Sequence, residues 1–296
     1  MSHKRILRVT GIVFCIIVSV ALIISVWKDK KIDNRLGFNM VVLGDGSTTI
    51  MSYKPENLSV DYVDLPDNLK ISLSNNGSDF GIGELREAEK DSAGGASLND
   101  FRRGLSLELG IPLPIIVLHK SQNDPLSLRD SLLAWRGIDT NMNILDRIEV
   151  IKILGVVLAK GLNLNQPFPS RLTDKMVEVD GKSYQKVNEA VFSWAKNYFL
   201  SEAVLSETAE IVVVNASGTS GIGRKMSRQL ETAGMRVVDI RTGDLILDKK
   251  CEVDGDEVEH PMTMRYLVNY FGCEIDHGSS DKNRTTEIVV IVGKKY

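Results

Sequence analysis

The sequence predicts an α/β protein: an N-terminal transmembrane helix, then a larger α/β unit, then a small one. Three observations lead there. Residues 9–27 hold no charged side chain across 19 positions and stand between basic flanks. Short β-branched runs then alternate with stretches of helical spacing. Finally, "IVVVNASGTSGIGRKMSRQLETAGMRVVDI", residues 211–240, reads as strand, small-residue turn, helix and strand. That order implies a parallel crossover.

At about 1.5 Å per residue, the run 9–27 approaches the roughly 30 Å hydrocarbon thickness of a bilayer. Trp27, with Lys28, Lys30 and Lys31 behind it, closes the run as at a membrane interface. A cleaved signal peptide usually has a shorter apolar core. An uncleaved anchor is therefore expected, with residues 1–8 as a cytoplasmic tail and 28–37 as a linker. The chain would be a single-pass protein of the cell membrane with its bulk extracytoplasmic.

Residues 38–160 form the first unit. "FNMVVL", "TTIMSYKP" and "LSVDYVDLP" alternate as strands, the last two around a Pro55-Glu56-Asn57 turn. "NNGSDFGIG" reads as a loop. Residues 83–110 are helical in two pieces broken at Gly94-Gly95, the second stopped by Gly110 and Pro112. "LPIIVLH" is a further strand. Between 124 and 162 the spacing is helical, with Leu126, Leu128, Leu132, Leu133 and Trp135 as one apolar set. Ile144, Ile148, Ile151, Leu154 and Leu158 form another, and both are expected to cover the sheet.

Residues 161–206 read as a linker and connecting helix: "GLNLNQPFPSRLTD" as a loop, then an amphipathic helix carrying Val187, Val191, Trp194, Tyr198 and Leu200. The second unit is 207–296. It has a strand at 211–214, a helix at 222–233 capped by Gly234, and a strand at 236–240. "LILDKKCEV" is strand-like, a helix at 262–271 starts after Pro261, and "CEID" and "EIVVIVG" are the last strands.

The formal net charge of −3 gives no basic field, and an aromatic share of 6% gives no stacking platform. Nucleic acid is therefore not an expected partner. Cys251 and Cys273 both lie in the second unit and could bridge in an oxidising compartment; free buried thiols are the alternative. No metal site is expected.

Glycines between a strand and a helix can let backbone amides approach an anion, so Asn215, Gly218, Gly221 and Gly223 raise the question of a phosphate cradle. "SGIG" is also what short-chain dehydrogenases carry there. The spacing Gly218-x-x-Gly221-x-Gly223 is not a dinucleotide fingerprint. No Tyr-x-x-x-Lys follows, and the 73 residues after Gly223 are too few for a six-stranded sheet. A tight chain reversal is the preferred reading, and an NAD(P)-dependent oxidoreductase ranks last.

The same stretch, followed by the helix at 262–271 and the strand "EIVVIVG", resembles the LytR C-terminal domain over 207–296. Such domains commonly follow LytR-CpsA-Psr envelope proteins. "GSTTIMSYKPENLSVDYVDLPDNL" and "DFRRGLSLELGIPLPIIV" are similar to that family's strand–turn–strand outline and its helix. The resemblance implies a bacterial cell-wall protein with an α/β domain whose arginines and aspartates bind a polyprenyl pyrophosphate and its magnesium. That domain transfers a glycopolymer to peptidoglycan.

Here the charged residues of that pattern are replaced. Gly46 and Thr48 stand where the first arginine and aspartate would be, and Asp67-Asn68 where Arg-Asp follows the proline. Arginine forks bind pyrophosphate in charge-assisted pairs, whereas a carboxylate repels it. The first half is thus expected to be a shortened, degenerate LytR-CpsA-Psr-like domain, with no catalytic residue and no cofactor. Lys70, Arg102 and Arg103 are the candidate ligand-binding cations. The expected role is binding or organising wall polymer or envelope proteins. The alternative is a phosphotransferase, and only then would magnesium be needed.

Overall fold

Strand β1 (Phe38–Leu43) is buried over its whole length in the computed structural model. The structure describes residues 30–73, 79–90, 98–119, 125–135, 138–160, 163–178, 181–276 and 288–296. The expected membrane segment 9–27 lies outside them. No helix among the described residues is long and apolar enough to cross a membrane.

β1 is followed by β2 (Thr48–Lys54) and β3 (Ser59–Leu65), each antiparallel to the strand before it. A hairpin of β4 (Lys70–Ser72) and β5 (Asp79–Gly81) leads into α1 (Ile82–Lys90) and α2 (Leu98–Leu109). β6 (Ile115–His119) then returns parallel to β1. After it come α3 (Pro125–Ala134), β7 (Ile138–Thr140), α4 (Ile144–Lys160) and β8 (Asn163–Pro167). The six strands lie in the order β7-β6-β1-β2-β3-β8.

The period of two along β1 divides the core. Phe38, Met40 and Val42 pack with Met51, Val60 and the α4 residues Val150, Ile153, Leu154 and Val157. Val41 and Leu43 point the other way, against Ile50, Val63 and the α2 residues Phe101 and Leu105. Each such burial stabilises by about 1.5–3 kcal/mol. A sheet covered on both faces needs near-continuous apolar strands, which "FNMVVL" supplies.

Beyond β8, a hairpin of β9 (Thr173–Val177) and β10 (Ser183–Val187) precedes α5 (Ala190–Tyr198) and α6 (Glu202–Leu205). The second sheet is built from β11 (Glu210–Asn215), β12 (Arg236–Thr242), β13 (Cys251–Asp254), β14 (Glu274–Ile275) and β15 (Ile288–Val292), in the order β12-β11-β15-β13-β14. α7 (Ile222–Ala233) makes the β11-to-β12 crossover, and these two strands are parallel. α8 (Pro261–Tyr266) runs into a π turn at Leu267–Phe271. Pro261 starts that helix where its missing N–H costs nothing.

Polar contacts fasten the second unit to the start of the first. Ser201 Oγ donates to Leu36 O at 2.7 Å, Arg265 reaches Asp33 at 3.0 Å, and the Tyr270 hydroxyl donates to Gly37 O. Burial works against the Asp33 carboxylate, but the Arg35 backbone N–H and the Arg35 and Arg265 guanidiniums outweigh it and hold its pKa below the usual value. Asp146, fully buried, accepts from the backbone N–H groups of Lys31 and Ile32 at 2.9 and 2.8 Å. Burial still pushes its pKa up.

Several expectations are corrected. On α3 only Leu128 and Leu132 are buried, while Leu126, Leu133 and Trp135 are exposed. On α4 the buried stripe is Val150, Ile153, Leu154 and Val157; Ile144 and Ile148 face outward. Both helices cover the sheet with one narrow face, so three of the five residues in the first apolar set and two of the five in the second stay exposed. The stretch 161–206 is more than a linker, since β8 is a strand of the first sheet and pairs with β3. Within "LILDKKCEV" only the end is strand, starting at Cys251.

Candidate functional site

The turn after β11 is built by one side chain. Asn215 donates from Nδ2 to Thr219 O at 2.9 Å, while its Oδ1 accepts from Ser217 N at 3.2 Å and from Ser217 Oγ at 2.6 Å. Thr219 N then donates to Ser217 Oγ at 3.1 Å. Two amides that a phosphate cradle would offer are thus already used by the turn's own side chains. Gly218 and Gly221 hold positive φ angles of 74° and 83°, and Gly221 begins α7 in that left-handed conformation. Gly223 serves close packing: a Cβ there would meet Asn215 Cβ at 3.1 Å and Ile240 Cγ2 at 3.3 Å. The glycines shape a chain reversal beside an open cleft of about 660 Å³.

In the first half, the positions singled out by the resemblance lie at the β1–β2 turn, at the start of β2 and just after β3. Gly46 sits in the β1–β2 turn, and Thr48 is fully buried with its hydroxyl unpaired. Asp67 accepts from both Arg86 guanidinium nitrogens, at 2.6 and 3.0 Å. That bidentate pair already neutralises one arginine. Asp64 accepts from Thr49 at 2.7 Å, and Asp61 from Lys54 at 2.6 Å. Magnesium requires several free oxygen ligands. Among the described residues no three His, Cys, Asp or Glu side chains come together to hold a metal.

The three predicted cations do not share one site. Lys70 pairs with Glu178 and lies 4.3 Å from the centre of the Tyr184 ring. Arg102 and Arg103, on α2, instead line a cavity of about 40 Å³ between the two units. Lys250 and Gln229 close it from the second unit, beside Ser106 and the Tyr296 ring. Gln229 donates to Ser106 Oγ at 2.9 Å and accepts from the Tyr296 hydroxyl. Arg102 donates to Leu113 O at 2.5 Å.

The electrostatics of this seam are lopsided. Burial, aided by the charges of Arg102, Lys31 and Arg103, pulls the Lys250 pKa down to about 8. Burial also lowers the Arg102 and Arg103 values, partly offset by the Tyr296 phenol and, for Arg103, by Asp100. Sequence reasoning missed Lys250, Gln229 and Tyr296. No local signal marks them, because their meeting with α2 is set only by how the two units dock.

Residues 208–296 match the family model described as LytR cell envelope-related transcriptional attenuator. That segment is a LytR C-terminal domain. Its family description ties it to the cell envelope, and β11, the Asn215 turn and α7 are its opening elements. No curated protein matches the chain.

Solved structures similar to the chain include a transcriptional regulator from Enterococcus faecalis, 10% identical, covering 55% of this chain and 87% of that one, with a TM-score of 0.40. A Bacillus subtilis TagV structure is 10% identical over 53% of this chain and 93% of that one, at a TM-score of 0.38. B. subtilis TagT gives 11% over 57% and 92%, at 0.34. Superposition this loose transfers no residue and no activity to the chain.

Within the LytR C-terminal domain, Cys251 and Cys273 are joined in a disulfide with their Cα atoms 4.5 Å apart. Both are buried. The bridge ties the start of β13 to the residue after the π turn and its closing glycine, Gly272, and so fixes the strand that carries Lys250 at its threshold.

Proposed function

We propose that this chain is a membrane-anchored, extracytoplasmic cell-envelope protein that binds or organises wall components or partner proteins and transfers nothing. The observation that carries the non-catalytic part is the Asp67–Arg86 pair. An aspartate holds the buried guanidinium where a polyanionic lipid would need free arginines, and Arg86 is only 4% exposed. The LytR C-terminal domain supports the envelope part. Anchoring draws support from the uncharged run 9–27 and from where the chain leaves it. Lys31 is bound just before and at the start of α4, and Trp135, Ile144 and Ile148 at the ends of α3 and α4 are exposed. Apolar side chains so placed suit contact with a bilayer surface.

Two measurements test this reading together. The full-length protein is mixed with purified wall polymer, and saturable retention is expected. It is also incubated with a lipid-pyrophosphate donor, magnesium and peptidoglycan acceptor, and no transfer is expected. Transfer in the second assay would establish a phosphotransferase instead. Absence of retention on every envelope fraction would remove the binding role.

A further inference from the structure

We propose that Arg102, Arg103 and Lys250 form a binding site for one small tetrahedral oxyanion, of the phosphate or sulfate class, at the seam between the first unit and the LytR C-terminal domain. The inference does not depend on the envelope role proposed above. Three cations from two different units line a single cavity, and no carboxylate side chain lines it with them. None of the three makes an ion pair among the described residues. The Nε atoms of Arg102 and Arg103 are buried without a hydrogen-bond partner. A guanidinium nitrogen removed from water and left unpaired is costly, and a cluster of like charges is costlier still.

The volume suits the ligand. About 40 Å³ is room for roughly one to three waters, so the occupant must be a small ion. The cavity is too small for a sugar or a lipid headgroup to be enclosed whole. Gln229 and Ser106 on the wall already satisfy one another, so the ligand must be met by the cations. The surrounding groups offset them only in part: Tyr296 acts on both arginines and Asp100 on Arg103, while Lys31 adds to the positive field at Lys250. An anion accepting from Arg102, Arg103 and Lys250 at once would bridge α2 to the residue before β13. The two units would then be held together by the ligand as well as by their apolar contact.

The test uses the full-length protein at pH 7 in chloride buffer, titrated with inorganic phosphate at constant ionic strength. A saturable heat of binding and a saturable rise in melting temperature of several degrees are expected, because a ligand that binds only the native state stabilises it by mass action. Arg102→Gln and Lys250→Gln should each weaken phosphate binding by at least about tenfold, the loss expected for a charge-assisted bond. Arg129→Gln, on α3 and away from the cavity, should change nothing.

A parallel titration with glycerol 3-phosphate separates the two sources of such an anion. Binding of both assigns the site to the phosphoryl end of a larger molecule, and binding of phosphate alone assigns it to the free ion. Should a variant fail to fold, the wild type still decides: in Nζ-detected NMR, phosphate must raise the titration midpoint of Lys250. No saturable binding, or unaltered affinity in folded Arg102→Gln and Lys250→Gln, would overturn the proposal.

Discussion

Gln229 donates its side-chain amide to Ser106 Oγ at 2.9 Å, joining α7 to α2 between two buried residues 123 positions apart. The relay is complete: Ser106 Oγ donates onward to Ile111 O at 2.6 Å, and Gln229 Oε1 accepts from Tyr296. Gln229→Leu keeps the volume but strands the buried Tyr296 hydroxyl. The expected loss is about 1–3 kcal/mol in urea unfolding, the cost of an unsatisfied buried group. Tyr296→Phe in that background should recover part of it, since both polar ends are then gone. Equal effects of Tyr296→Phe with and without Gln229 would mean that the two are uncoupled.

Lys250 gives the protein a distinctive alkaline behaviour. Its folded pKa of about 8 lies below the ordinary 10.5, so the unfolded chain holds the proton when the folded one has lost it. Between pH 8 and 10.5 the unfolded state binds more protons, and stability therefore rises with pH. The gain should be on the order of 1–3 kcal/mol. Above about pH 10 the buried Tyr266, Tyr270 and Tyr296 act oppositely. Burial raises their values, and the unfolded chain then loses protons that the fold retains. Denaturant melts in phosphate-free buffer should show stability climbing from pH 8 to 10. Lys250→Met should flatten that climb and be the more stable form at pH 7. A variant with the same slope as wild type would show that another group titrates there.

What the sequence disclosed and what it hid follow from locality. β1 keeps the bounds read for it, and β2 and β3 fall within one residue of theirs at each end, because a half-buried or fully buried strand writes its period into adjacent residues. Helix α7 begins and ends where its glycines say. α4 was harder. An aliphatic-rich helix carries several stripes at three- and four-residue spacing, and the sheet alone decides that Val150 and Val157 go in while Ile144 and Ile148 stay out. β8, "NLNQP", pairs with β3 as an edge strand, whereas its polar, proline-ended sequence reads as a loop. At the seam, Arg102 and Arg103 were visible as cations, but Lys250 was not, since only docking brings it to α2.

Reduction of the Cys251–Cys273 bridge should loosen the second sheet. The cysteines are 22 positions apart, a loop whose closure is worth roughly 3 kcal/mol to the fold. The Cys251→Ser, Cys273→Ser double variant is expected to unfold at a correspondingly lower urea concentration. Intact exported protein should gain the mass of two hydrogens on reduction. Two thiols that alkylate freely without reductant would show that the bridge does not form in the mature protein.

Gly221 and Gly223 should respond differently to the same added methyl group. Around Gly221 nothing lies within 4 Å of a new Cβ, so Gly221→Ala suffers only from its φ of 83°, a strain of about 1–2 kcal/mol. Asn tolerates that region, and Gly221→Asn should recover part of the loss. Gly223→Ala has no strained φ but sets its Cβ against Asn215 and Ile240. Asn215 cannot yield, because its amide holds Ser217 and Thr219 in the turn. Helix α7 must therefore lift or the turn must open, at about 1–3 kcal/mol. Hydrogen exchange separates the two costs. The Ser217 and Thr219 amides should exchange faster in Gly223→Ala and at the native rate in Gly221→Asn. Equal acceleration in both variants would mean that the turn depends on the left-handed residue at the helix start, and that the Asn215 bonds contribute little to its shape.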